Sequence, residues 1–292
     1  MIALAWVIWF ITTQCNKVER QQMISLVVLI IMALLFFVLY EQTYGSWVAF
    51  TDRLLTKDLF TIASATAEPV LPWTIAPLVI LPLTMLLALR LAGQGWLRLG
   101  EILVGTAAVL MIAAFIRDMS MVQQTAGSLT FLGAFFIVAL TPFFTWLWPW
   151  LEKRGMNPTK PAKSSNGLLF GALAFLPMAY AAHLAGINGV ASVWWLVFAY
   201  LILEMGELSI SPIGLSAVTQ LSVPRVVSVM MGAWFLATAY SEVLAHKFGE
   251  LAAMDVPEGE TLDVAVASAK FGDLFMLMFW IGIVQAALGV VL

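Results

Sequence analysis

Long apolar runs separated by short polar segments make up almost the whole chain. Eight runs stand out, near 23–45, 72–91, 100–117, 129–150, 167–187, 190–214, 226–246 and 269–292. Each is close to the ~20 residues that an α-helix needs to cross a bilayer. The runs are continuous rather than alternating residue by residue, which predicts helices and excludes the strands of a membrane barrel. A ninth run, 1–13 (MIALAWVIWFITT), stops at polar TTQCNKVERQQ. It is short for a span and lacks the basic start and small-residue cleavage site of a secretory signal. It reads as the end of a preceding element or as an interfacial helix. The hydrophilic segments are too short to hold a soluble domain.

Lys and Arg in the short loops set the orientation of such a chain. Lys17 and Arg20 precede the first long run and place that side in the cytoplasm. Alternation then puts Arg90, Arg98, Lys153, Arg154, Lys160, Lys163 and Arg225 on the same side. Arg53, Lys57, Arg117, Lys247 and Lys270 fall on the other, a split of nine to five. The segment 249–268 on that outer side is acidic. Eight spans with both ends inside satisfy the asymmetry.

Composition agrees and narrows the choices. Of 292 residues, 62% are hydrophobic and 11% charged, against about 45–50% and 25% in soluble domains. A soluble enzyme, a disordered segment and a nucleic-acid binder working through a basic surface are excluded. The net charge of −3 says little about partners. The single cysteine, Cys15, forbids an internal disulfide and a thiolate metal cage. His183 and His246 each stand at a run's end with no second ligand nearby and read as interfacial. There is no HExxH, Walker loop or GxSxG elbow. No cofactor is expected, and an intramembrane enzyme is not expected either.

Helix breakers interrupt several runs: Pro77 and Pro82 in one, and Pro142, Pro177 and Pro212 in three others. Most read as packing kinks, which membrane bundles tolerate. Ser211-Pro212 differs because polar residues surround it. Gly167 and Gly171 form a GxxxG, a signal for close helix packing. Trp146, Trp148, Trp150, Trp194 and Trp195 lie at run ends, as an interfacial aromatic belt would.

The informative residues are the carboxylates inside apolar runs, each costing roughly 3 kcal/mol or more at the bilayer centre. Glu41 lies in FFVLYEQTYGSW, and Glu207 in LILEMGELSISPIGL, with Glu204 one turn earlier. The i, i+3 spacing puts Glu204 and Glu207 on one helix face. Neither cluster has a basic partner in its own helix. Each therefore meets a cation from elsewhere, lines an aqueous cavity, exchanges a proton, or is a neutral structural group. The role of Glu204 stays open.

These segments resemble those of a known family. VERQQMISLVVLIIMALLFFVLYEQTYGSW is similar to the seventh transmembrane helix of proton-dependent oligopeptide transporters, an aromatic-rich helix ending in Glu-Gln. GELSISPIGLSAVTQLSVPRVVSVMMGAWFLATA resembles that family's tenth helix, short cytoplasmic loop and eleventh helix. FFIVALTPFFTWLW is similar, more loosely, to the eighth. The likeness covers 16–50 and 128–292.

The resemblance implies an all-α major facilitator fold, of which this chain supplies the C-terminal six-helix bundle. Residues 1–22 would be the end of a linker helix and a cytoplasmic loop, and 23–292 the bundle. The first-helix ExxER-type motif of the N-terminal half does not occur in the chain, so that half would be separately encoded or truncated away. Eight runs exceed six, and the surplus is a hairpin at 72–117 inserted between the seventh- and eighth-like helices. The family tends to carry an asparagine in the eighth helix, near Gly133 here, which puts one peptide-backbone contact in doubt.

Carried over by match, Glu207 would receive a peptide's N-terminal amine. Ser211 would hydrogen-bond nearby, and Trp234 would wall an apolar side-chain pocket. Glu41 would pair with a cation of the absent half and couple protons to transport. The reading is a proton-coupled symporter of di- and tripeptides in a bacterial inner membrane, with protons, peptides, the lipid bilayer and the absent half as partners and no nucleic acid. A different class stays open: a half-transporter that acts as a membrane interaction or assembly subunit.

Overall fold

The computed structural model describes residues 2–59, 83, 85–86, 104–107, 110, 124–252 and 263–291. The chain divides into two compact units. One comprises 1–56 and 126–292, the other 57–125. The expected hairpin at 72–117 falls in the second unit, and most of it lies outside the described residues. Within that unit, the backbone N–H of Gln124 donates to the carbonyl of Lys57 at 2.9 Å.

The first unit is helical, with no strand among its described residues. Its helices are α1 (Ile2–Thr13), α2 (Lys17–Tyr40), α3 (Ser46–Leu54), α4 (Phe131–Lys153) and α5 (Lys160–Leu173). They continue with α6 (Phe175–Asn188), α7 (Trp194–Leu221), α8 (Val227–Gly249) and α9 (Val264–Val291). These form six stretches long and apolar enough to cross a membrane among the described residues: 17–54, 128–153, 160–188, 194–221, 224–249 and 264–290. They match the six apolar runs expected outside the hairpin. The protein is a multi-pass integral membrane protein.

Local chemistry explains the boundaries. The first span starts six residues before its apolar run because Asn16 caps it. The Asn16 side chain accepts from the N–H groups of Val18 and Glu19, and Glu19 returns a bond to the Asn16 N–H at 3.0 Å. That reciprocal pair is a capping box. The span does not end at 45. The chain turns through a short 3-10 segment, Glu41–Thr43, and resumes at Ser46 as α3. The third span breaks at Ala174 between α5 and α6. Pro177 has no N–H to donate to the Leu173 carbonyl there. Pro142, Pro149 and Pro212 lie inside helices that run on through them.

Several cations meet at one end of the bundle. Arg225, after α7, reaches Glu19 at 3.4 Å and donates to the Gln14 carbonyl at 2.5 Å. Lys160, opening α5, bonds Gln220 near the end of α7. One end of the bundle thus gathers the starts of α2, α5 and α8, as the expected orientation requires. Lys163 and Arg154 of that end sit over the rings of Trp148 and Trp150, at 4.2 and 4.0 Å. At this end the tryptophan belt is tied down by cations.

Glycines set a close backbone contact between two helices. A Cβ on Gly167 would lie 2.9 Å from the Gly206 carbonyl oxygen, and one on Gly206 would lie 2.8 Å from that of Gly167. Backbones of α5 and α7 therefore touch where the GxxxG of α5 meets the Gly-Glu of α7. This crossing fixes the height at which Glu207 stands.

Candidate functional site

The turn that ends α2 presents Glu41. Gln42 beside it is buried, donating from Nε2 to the Ala245 carbonyl of α8 at 2.8 Å. Ser46 Oγ donates to Gln42 Oε1 at 2.6 Å. These bonds tie the turn to α8 and to the start of α3. Half-buried Glu41 lines a cleft of about 720 Å³ together with Tyr44, Arg53, Glu242, His246 and Glu250. Glu242 and Glu207 are the charged groups that act on Glu41 electrostatically. Among the described residues Glu41 makes no ion pair.

Glu204 and Glu207 project from α7 one turn apart, flanking Gly206. Glu204 is 0% exposed, and neither of its oxygens has a hydrogen-bond partner. Its Oε1 lies 3.0 Å from where a Cβ on Gly133 of α4 would stand, with the Tyr40 hydroxyl 3.7 Å from that point. The niche left by a glycine in α4 is thus filled by a carboxylate of α7 beside a phenol of α2. Glu207 is half-buried, and its Oε2 is buried without a partner. Tyr40 is within electrostatic range of both carboxylates.

Ser211, one turn beyond Glu207, has a buried and unpartnered Oγ. Trp234 on α8 is 3% exposed, and a Cβ on Gly214 would stand 1.9 Å from its ring. The ring is packed on the α7 backbone rather than standing free. Glu204, Glu207 and Ser211 share one face of α7. Glu41 approaches it from α2, and Trp234 stands a further turn along. Sequence reasoning passed over Tyr40 and Glu242. An aromatic at the end of an aromatic-rich helix carries no signal of its own. Glu242, in a stretch rich in small and aromatic residues, was legible as a carboxylate in an apolar run.

Outside the spans, the Lys247 ammonium, bonding at 2.9 Å, holds the Glu250 carboxyl below the usual carboxylate range. Burial, and then the Glu19 carboxylate, push the Cys15 thiol up. No group of three or more His, Cys, Asp or Glu among the described residues could hold a metal.

The family model of the POT family matches residues 104–256, which is 153 of 292 residues and more than half the chain. The chain belongs to the POT family. It is 39% identical over 120 residues to a peptide transporter of Yersinia enterocolitica, covering 40% of this chain and 24% of that protein. It is 34% identical over 161 residues to dipeptide and tripeptide permease A of Yersinia pestis, covering 55% and 30%. The POT chain therefore spans less than a third of the length of these curated relatives. Its fold is similar to that of a peptide transporter POT solved with sulfate, at a TM-score of 0.64 and 21% identity, over 98% of this chain and 44% of that one. A POT family transporter solved with 5-aminolevulinic acid gives 0.63 and 18%, over 99% and 45%.

Proposed function

We propose that this chain provides the C-terminal six-helix bundle of a proton-coupled symporter of di- and tripeptides, acting in a bacterial inner membrane with a second six-helix half. The observation that carries the reading is the set of carboxylates on the α2 and α7 faces. Glu41, Glu204 and Glu207 stand together without an ion pair among the described residues, in a bundle that belongs to the POT family.

Glu207 receives the peptide's amine. A carboxylate in a low-dielectric, walled cavity selects an ammonium over a neutral group. Ser211 offers a hydroxyl one turn along, and Trp234 forms an apolar wall. Glu41 alternates between a cation of the other half and a proton. Breaking and reforming that pair couples the gradient to the change of access. The relatives named as peptide transporter and as dipeptide and tripeptide permease support the substrate class.

Dipeptide uptake into proteoliposomes under an inward proton gradient tests this reading, with the second half present. Glu41→Gln should abolish gradient-driven uptake while leaving peptide binding measurable. Glu207→Gln should weaken binding most. Unchanged uptake in both variants overturns the roles. Binding of the bundle to a membrane partner without any uptake would favour an assembly subunit instead.

A further inference from the structure

Glu204 stands apart from every role assigned above. It is fully buried, both oxygens lack hydrogen-bond partners, and it forms no ion pair among the described residues. Its surroundings are specific. From the end of α2 and the turn after it the titratable neighbours are Tyr40 and Tyr44, and from α7 itself they are Tyr200 and Glu207. α4 contributes Gly133, where a Cβ would stand 3.0 Å from Glu204 Oε1 and 3.6 Å from the Tyr200 ring. No charged group of α4, α5, α6 or α8 acts on it. An ionised carboxylate with no cation and no exposure to solvent is costly in such a place, with the Tyr40 phenol as the one neighbouring donor, whereas a neutral acid is tolerated. Two carboxylates one turn apart on the same face cannot both ionise cheaply, and the more deeply buried one keeps the proton.

We propose that Glu204 is a proton-binding site: it holds a proton at neutral pH and leaves Glu207, its neighbour on α7, as the one ionised carboxylate of the pair. The ligand is a single proton on Glu204 Oε, in the niche that Gly133 leaves open. The consequence for transport rests on the peptide-symport reading. The pair offers one negative charge to one ammonium, so a monocationic amine matches it and a dication does not.

The test is infrared spectroscopy of the purified chain in lipid nanodiscs, reading the C=O stretch of protonated carboxyl groups at neutral pH. The wild-type chain should show a protonated-carboxyl band that disappears in Glu204→Gln and persists in Glu207→Gln. Gly133→Ala crowds the carboxyl from α4 and should shift the band, which keeps the test open if Glu204→Gln fails to fold. A band that survives Glu204→Gln, or that does not move in Gly133→Ala, overturns the proposal. Uptake plays no part in this readout. An intact Glu204 band with no gradient-driven peptide uptake refutes the symport reading and leaves the proton site standing.

Discussion

Replacing Gly206 by Ala tests the helix crossing on which the site rests. The added Cβ would lie 2.8 Å from the Gly167 carbonyl oxygen, 3.0 Å from Phe36 Cε2 and 3.2 Å from Phe170 Cβ. Ordinary contact begins at 3.4 Å, so α5 and α7 must part by about 0.6 Å (3.4 − 2.8). The closest obstacle is backbone, which cannot rotate away as a side chain would. Overpacking of this kind costs about 1–3 kcal/mol. Alanine in place of glycine returns roughly 0.8–1 kcal/mol of helix propensity. Gly232 on α8 provides the control, since nothing lies within 4 Å of its Cβ position. Gly232→Ala should stabilise by up to about 1 kcal/mol from propensity alone. The two variants should therefore differ by roughly 1–3 kcal/mol in melting experiments in one detergent. Equal stability of Gly206→Ala and Gly232→Ala would refute the backbone contact, and with it the positioning of Glu207 by the glycine before it.

Two further outcomes are expected. Cys15 is the chain's one thiol, raised by burial and then by Glu19. Its thiolate fraction at neutral pH is below that of a free cysteine, so maleimide labelling should be slow, faster in Glu19→Gln, and confined to reagent on the cytoplasmic face; labelling from outside intact cells contradicts the orientation. Trp234→Ala should cost about 3–5 kcal/mol, as removal of a buried indole does. Gly214→Ala should also destabilise because its Cβ falls on the Trp234 ring. The double variant should be more stable than the sum of the two predicts, and strict additivity in a denaturation series argues against the contact.

Much of this architecture is legible in the order of residues, and the exceptions have physical causes. Hydropathy finds spans because the bilayer imposes a length and forbids unsatisfied backbone. It does not find where helices start, and the first span begins at Lys17 because of the capping box that Asn16 and Glu19 form. The break at Ala174 leaves hydropathy unchanged, so α5 and α6 read as one run, whereas the polar turn at Glu41–Thr43 makes the first run stop at 45 and hides α3. Glu41, Glu204 and Glu207 are conspicuous as charges in apolar surroundings. Their neighbours are not. Gly133 matters through the side chain it lacks, and its partner lies 71 positions away (204 − 133) on another helix. The GxxxG announces that α5 packs closely, but only the structure names Gly206 as what it meets. The roles of Ser211 and Trp234 came from resemblance, and the packing of the Trp234 ring on Gly214 was in no local pattern.

The distribution of unsatisfied polar atoms bears on why the site exists at all. Folded proteins satisfy nearly all buried polar groups, and each exception needs a reason. Here Glu204, Glu207 and Ser211 carry such atoms at spacings of three and four residues, all on one face of α7. A bundle selected for stability alone would place apolar side chains there, since a well-packed apolar replacement of unpaired buried polar groups is neutral or stabilising. A stripe of this kind is the mark of a face kept for something other than packing, and its carboxylates specify a cation or a proton as what it holds. Glu207→Gln and Ser211→Ala, singly and together, should leave the melting temperature of the isolated chain unchanged or raise it, while impairing peptide binding by the assembled transporter. Had these side chains been structural, the same substitutions would lower stability by about 1–3 kcal/mol each. Melting curves of the three variants decide between a face kept for its ligand and a face kept for its fold.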